Sequence, residues 1–409
     1  MVQAQNAVPK FLLKFTVLLL LFSSFYFSPI ISFLGSVLVL AFSKESILVS
    51  AIGGFSLAYP ALFFQPLITD DATRIFFVVK GMQNIPLSGL KYWLKMWAPD
   101  YLNYPLFTGL MYVVARWLQV EALPFIVAGV TFTAVFYTVW KFARIFEITR
   151  LAKILVLLSS VTWLNYLELI SGMRFSLACA LALFSIVDAC FLDTKTASTR
   201  YSHLFWLIVP ILIHPGVMIL VIPVIVYIIL NQKNFFSKWV SLIGTSVFGL
   251  VLILLNVFQN NNSYLRMISN RLNGYQSTTF DYYLSPQRLV HFFLALTLGL
   301  VAISMSSMML KQQEMNPLFR QKVESLKRIC TIFEIYFLIS LISISFGMRL
   351  AVLVPMLFVL LTAVTTSRFT SGPFLYAPLL ILTFVFILNL FYNISALHAN
   401  FYGIVWFRL

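Results

Sequence analysis

The sequence predicts an all-α polytopic membrane protein of about eleven to thirteen transmembrane helices, formed as a single integral membrane domain over residues 1–409. Three observations predict it. Of 409 residues, 61% are hydrophobic and only 10% charged, a balance foreign to soluble domains of this length. Apolar runs of spanning length recur along the chain. Basic residues collect in the short segments between those runs, the pattern by which membrane proteins are oriented.

The long runs lie at Ile47 to Phe64, Leu123 to Trp140, Arg174 to Leu192, Trp239 to Phe258, Leu289 to Leu310, Ile329 to Phe346, Leu350 to Val364 and Pro373 to Phe391. Shorter ones are Phe11 to Phe42, Tyr104 to Trp117, Ile154 to Tyr166 and Leu204 to Leu230. Proline lacks the backbone N–H that continues a helix, so Pro29 divides or kinks the first of these. Pro210 and Pro215 break the last near His214. The N-terminus carries Lys10 and Lys14 with no small-residue cleavage site after them, which predicts a retained first helix.

Four basic segments read as cytoplasmic: Lys141 with Arg144, Arg150 and Lys153; Lys195 with Arg200; Lys233 with Lys238; and Lys311 with Arg320, Lys322, Lys327 and Arg328. Crossing the bilayer from each in turn brings Arg174, His214, Arg349 and the loop 259–288 to the outer face. The loop 65–103 also falls outside, carrying an interfacial helix. The run Tyr104 to Trp117 is then re-entrant or surface-lying rather than a full span.

Composition excludes other classes. The net charge of +15 is the positive-inside excess, and no basic stretch is built for nucleic acid. Cys179, Cys190 and Cys330 form no Cys-x-x-Cys pair, and the four histidines have no ligand spacing, so neither metal nor cofactor is expected.

Two arginines stand out. Arg174 and Arg349 each follow Gly-Met and head apolar helix. A guanidinium facing lipid costs about 3 kcal/mol or more, and Arg grips phosphate with two parallel hydrogen bonds. An anionic ligand at the outer surface is therefore expected. Asp70 and Asp71 supply a general base or glycan contacts, or else cap a helix. Glu168 orients an acceptor, or simply pairs with Arg174. His214 accepts a proton, or serves as a hydrogen-bonded structural residue. Arg266 and Arg271, with Tyr264, Tyr275 and Tyr282, give the long outer loop the chemistry of phosphate and saccharide sites, unless it is an ordinary solvated loop. Trp93, in Lys-Tyr-Trp-Leu-Lys-Met-Trp, is a glycan-stacking candidate on a segment with an interfacial pattern.

This order of features resembles the EpsG/Wzy group of bacterial polysaccharide polymerases. Asp70 and Asp71 stand in the early acidic outer loop. Arg174 opens a helix with Ala178 four residues on. His214 follows in a later apolar run, then the long outer loop with Arg266 and Arg271, then Arg349. Phe175 stands where the family usually has Gln, and Arg74 or Ile75 where it usually has Tyr. The resemblance implies a GT-C-like, metal-independent glycosyltransferase of the bacterial inner membrane. It implies undecaprenyl-pyrophosphate-linked glycans as donor and acceptor, and a chain-length regulator protein as a further partner. A transporter or flippase for a lipid-linked or anionic solute is the rival reading.

Overall fold

The computed structural model describes residues 7–42, 47–66, 70–164, 166–191, 206–218, 220–221, 224–225, 286–312, 315–339, 344–366 and 376–398. Among them all regular structure is helical. The runs at 239–258 and within 226–285 lie outside the described residues.

Helices α1 (Ala7–Phe27) and α2 (Pro29–Phe42) part at Ser28, with Pro29 opening α2 as its missing donor predicts. Helix α3 (Ile47–Ala58) tightens into a 3₁₀ turn at Tyr59–Phe63, where Pro60 sits. Residues 65–103, expected as a loop with one interfacial helix, hold more order. They contain α4 (Asp71–Met82), α5 (Leu87–Trp97) and a 3₁₀ turn at Pro99–Asn103. Helix α6 (Pro105–Trp117) has 13 residues, about 20 Å of axis, short of the hydrocarbon thickness.

Next come α7 (Ala122–Ile145), α8 (Arg150–Trp163), α9 (Tyr166–Ser171), α10 (Met173–Phe191) and the short α11 (Ile208–Ile213). The C-terminal group is α12 (Pro286–Gln312), α13 (Pro317–Ile339), α14 (Ile344–Thr366) and α15 (Ala377–His398). Phe346 and Gly347, expected at the end of one run and between two, belong to α14. Arg349 is therefore in the second turn of its helix rather than at its head.

Helices α3 and α7 pack together most closely of all. Glycines at their crossing are the reason. A Cβ on Gly54 would lie 2.6 Å from the Thr133 backbone N and 2.9 Å from the Gly129 carbonyl oxygen. Only hydrogen lets the two backbones approach so closely.

Helix α14 is the core. From Leu350 to Thr365 every residue but Val352 is buried, as the uniformly apolar pattern of an enclosed helix requires. It packs against α8, α12, α13 and α15. Pro355 interrupts its ladder, and the carbonyl freed four residues back is that of Ala351. The indole Nε1–H of Trp163, on α8, donates to that carbonyl at 2.7 Å. A buried polar group left over by proline is thus satisfied from a neighbouring helix.

Among the described residues two helices, Ala122–Ile145 and Leu289–Lys311, are long and apolar enough to cross a bilayer. Shorter apolar helices run at Lys14–Phe27, Pro29–Phe42, Ile47–Phe63, Leu350–Thr366 and Ala377–Phe391.

Candidate anion site at the start of helix α10

Arg174 is the second residue of α10. The turn before it is tight: the Gly172 N–H donates to the Glu168 carbonyl at 2.7 Å, closing α9, and the Phe175 N–H donates to the Gly172 carbonyl at 3.1 Å. A 19-residue helix therefore starts beside its own arginine. Its first amides and its dipole favour negative charge at the same end.

The guanidinium is held by aromatic faces. Its central carbon lies 4.5 Å from the Tyr104 ring centroid and 5.0 Å from that of Tyr101. Such contacts are worth roughly 0.5–2 kcal/mol, depending on desolvation. Among the described residues Arg174 makes no ion pair with a carboxylate, so the simple Glu168 pairing is absent. Ring faces occupy the guanidinium plane and do not consume its in-plane N–H groups, the ones that fit phosphate.

His214 joins the same stack. Its ring lies parallel to Tyr104 at 5.3 Å and edge-on to Phe175 at 5.3 Å. The predicted helix break is present: α11 ends at Ile213, His214 is extended at φ −153°, and a 3₁₀ turn begins at Pro215. The Gly216 N–H donates to His214 Nδ1 at 3.1 Å. When neutral, the imidazole then carries its proton on Nε2. In that tautomer the Nε2 edge donates, so this histidine suits holding an anion better than taking a proton through Nδ1.

Asp70 occupies the N-cap position of α4, yet its side chain makes no cap hydrogen bond. Asp71 sits 3.9 Å from Arg74, both exposed. This acidic and basic helix start is electrostatically coupled to Tyr101. Burial, first of all, raises the Tyr101 phenol above its ordinary value near 10; Arg174 and Arg74 pull it down and Asp71 pushes it up. Asp71, Arg74, Tyr101, Tyr104, Arg174 and His214 therefore form one neighbourhood, brought together from α4, the 98–104 turn, α10 and the break after α11.

The remaining candidates are placed as follows. Glu168 is half-buried on α9, a helix that packs against α4 and α10. Trp93 is half-buried with its ring against Gly81, so one face packs on α4 rather than standing open for a sugar. Arg349 lies in α14 two residues before Ala351, on whose carbonyl the Trp163 indole docks; its side chain is outside the described residues. Arg266, Arg271, Tyr264, Tyr275 and Tyr282 also lie outside them.

Sequence reading missed Tyr101 and Tyr104. The available signal was Tyr-Leu-Asn-Tyr-Pro, two tyrosines one helical turn apart immediately before a helix-opening proline. Phe175, noted as a departure from the family pattern, is part of the His214 packing. Among the described residues no group of three or more His, Cys, Asp or Glu side chains converges as a metal site. No protein-family model matches the chain, and no curated protein or solved structure matches it.

Proposed function

We propose that this protein is a multi-pass bacterial inner-membrane glycosyltransferase of the EpsG/Wzy type. It joins undecaprenyl-pyrophosphate-linked oligosaccharide units at the outer face. Support for the membrane reading comes from large apolar side chains left exposed in bands, such as Leu20 and Phe22 on α1, Phe293 and Leu300 on α12, and Leu380, Phe384 and Phe391 on α15. Bands of that size on helices call for lipid or a partner.

The observation that carries the reading is Arg174: half-buried, free of any carboxylate partner among the described residues, at a helix start, with its face held by two tyrosines. That combination suits a phosphate or pyrophosphate. In the reaction an acceptor hydroxyl oxygen bonds to the anomeric carbon while the bond from that carbon to the lipid pyrophosphate breaks. The electron pair leaves with the pyrophosphate, whose charge grows. Arg174, the dipole of α10 and the His214 Nε2–H stabilise that charge in this reading. The acceptor proton passes to a carboxylate, and Asp70, Asp71 and Glu168 are the candidates. Arg349 is assigned to the same pyrophosphate on its repeated Gly-Met-Arg context.

The experiment is Arg349→Lys and Arg174→Lys in cells lacking the native gene, read as the length ladder of surface glycan. Lysine keeps the charge and loses the planar fork. Each variant is expected to cut polymer formation by about 10- to 100-fold, equivalent to about 1.4 to 2.7 kcal/mol of transition-state stabilisation, at normal membrane levels. A wild-type ladder from Arg349→Lys removes Arg349 from the site. Lipid-linked units that fail to reach the outer leaflet, rather than fail to polymerise, would favour the flippase instead.

A further inference from the structure

Away from the Arg174 site, two carboxylates are buried among the described residues: Asp188 on α10 is paired with Lys141, and Glu334 is in apolar surroundings. Glu334 lies on α13 and is 3% exposed, and neither carboxyl oxygen has a hydrogen-bond partner. Its carboxyl enters a notch made by Gly299 on α12. A Cβ at 299 would collide with Oε2 of Glu334, and would lie 2.7 Å from the Phe358 ring of α14. Three helices therefore close around a group with no hydrogen-bond partner among the described residues.

Nearby ionisable groups do not neutralise it. One turn back on α13, the Cys330 Sγ–H points to the Leu357 carbonyl oxygen at 3.7 Å. Lys327 is two turns back, about 10 Å of axis, and its Nζ donates to Ser307 Oγ at 3.2 Å. Tyr336 lies on the same helix, and its residue is buried. On α12 the nearest titratable side chains are His291, two turns away beside Trp163, and Lys311 at the opposite end. On α14 Arg349 stands more than two turns from Phe358. A bare carboxylate charge in such a place costs several kcal/mol or more, whereas a carboxylic acid costs far less. A small cation is needed, and two ligand oxygens serve a proton better than a metal ion.

We propose that Glu334 is a proton-binding site set between α12, α13 and α14, with Gly299 providing the notch that receives its carboxyl. The proposal rests on the membrane reading but not on the polymerase chemistry. It gives the C-terminal helix group a chemical capacity of its own: a carboxyl that takes up and releases a proton inside the apolar layer.

The test uses two carbodiimides on the full-length protein in native membranes. A carboxylic acid adds its O–H across the carbodiimide to give an O-acylisourea, which rearranges to a stable N-acylurea; an ionised carboxylate has no proton to add. Dicyclohexylcarbodiimide partitions into apolar surroundings, while a water-soluble carbodiimide stays outside. The expected result is labelling of the Glu334 peptide by the first reagent only, read by mass spectrometry and absent in Glu334→Gln. Gly299→Ala is expected to cut that labelling at least tenfold, since it displaces the carboxyl from its notch. No label from either reagent means that position 334 presents no protonated carboxyl to the apolar layer and overturns the proposal. Label from both means an aqueous position and overturns it equally. Carbonate extraction of the same membranes checks the membrane reading separately: release into the soluble fraction defeats that reading whatever the labelling shows.

Discussion

Arg174 and Glu334 are both ionisable groups in largely apolar surroundings, and their neighbours differ in kind. Arg174 is half-buried at a helix start with two tyrosine faces, an imidazole stack and a helix dipole around it. Its charge is retained and oriented, and a further anion has somewhere to go. Glu334 is enclosed at a close approach of three helices with no hydrogen-bond partner for its oxygens among the described residues. There a charge has no support and a neutral form is favoured. Ring faces around a cation keep it available to ligands, whereas close apolar enclosure drives an acid toward its uncharged state.

The largest effect expected from this contrast is Arg174→Ala. Loss of one preorganised charge-stabilising group costs about 10²–10³-fold in rate, so polymer formation is expected to fall at least about 100-fold at unchanged protein level. A fall of less than about threefold would make Arg174 a packing cation and leave the contrast without its functional half. Glu334→Gln is the matched control: it keeps shape and neutrality, and its ladder length is expected to stay near wild type.

Next in size is Gly299→Val. Overpacking a closed core costs about 1–3 kcal/mol, here through collision with the Glu334 carboxyl and the Phe358 ring. Thermal inactivation of the detergent-solubilised protein should occur several degrees lower. Gly299→Val combined with Glu334→Ala should recover part of that loss, because the obstructing carboxyl is gone. No recovery would mean that Phe358, not Glu334, fills the notch.

Tyr104→Leu comes third. It removes the nearer ring from Arg174 and the parallel partner of His214. A cation–π contact of about 0.5–2 kcal/mol translates to a loss of about 2- to 30-fold in activity, while Tyr104→Phe should lose little, since the ring remains. Equal losses in both variants would point to the phenol hydroxyl instead.

The smallest effect concerns alkaline pH. The Tyr101 phenol is raised above its ordinary value near 10, chiefly by burial. A folded-state value above the unfolded one gives stability that is complete below the unfolded value and is lost as pH rises through the folded one. Unfolding midpoints followed from about pH 9 to 11 should fall at the upper end, and Tyr101→Phe should flatten that fall. Identical curves would remove Tyr101 from the alkaline response.

Helix positions were largely legible because proline and apolar length speak locally: Pro29 and Pro215 marked breaks that are present, while Pro210 lies within the first turn of α11. The order within residues 65–103 was legible only in part: the interfacial pattern falls on α5 and Asp70 stands at the N-cap of α4, but the full extent of both helices was not. Its two helices are too short and mixed in character to announce themselves, and they gain definition from packing such as Trp93 on Gly81. In the site, Arg174 and His214 were visible as charge and imidazole in apolar sequence. Tyr101 and Tyr104 were not, because aromatic residues near membrane surfaces are common and only the fold brings these two beneath a guanidinium. Glu334 was hidden differently: it reads as the second of two acids in a helix that begins basic, and only its apposition to Gly299 makes it unusual.

The docking of Trp163 onto α14 carries a consequence for how this chain tolerates change. The Ala351 carbonyl needs an outside donor only because Pro355 supplies none. Trp163→Phe in the present background strands a buried carbonyl, at about 1–3 kcal/mol. If position 355 becomes alanine, the helix supplies its own donor, and phenylalanine at 163 should then cost only the difference in ring size. Two residues on separate helices thus share one obligation, each permissible only in light of the other. Lineages of this chain should gain or lose the proline and the indole as a pair, with the tryptophan arriving first.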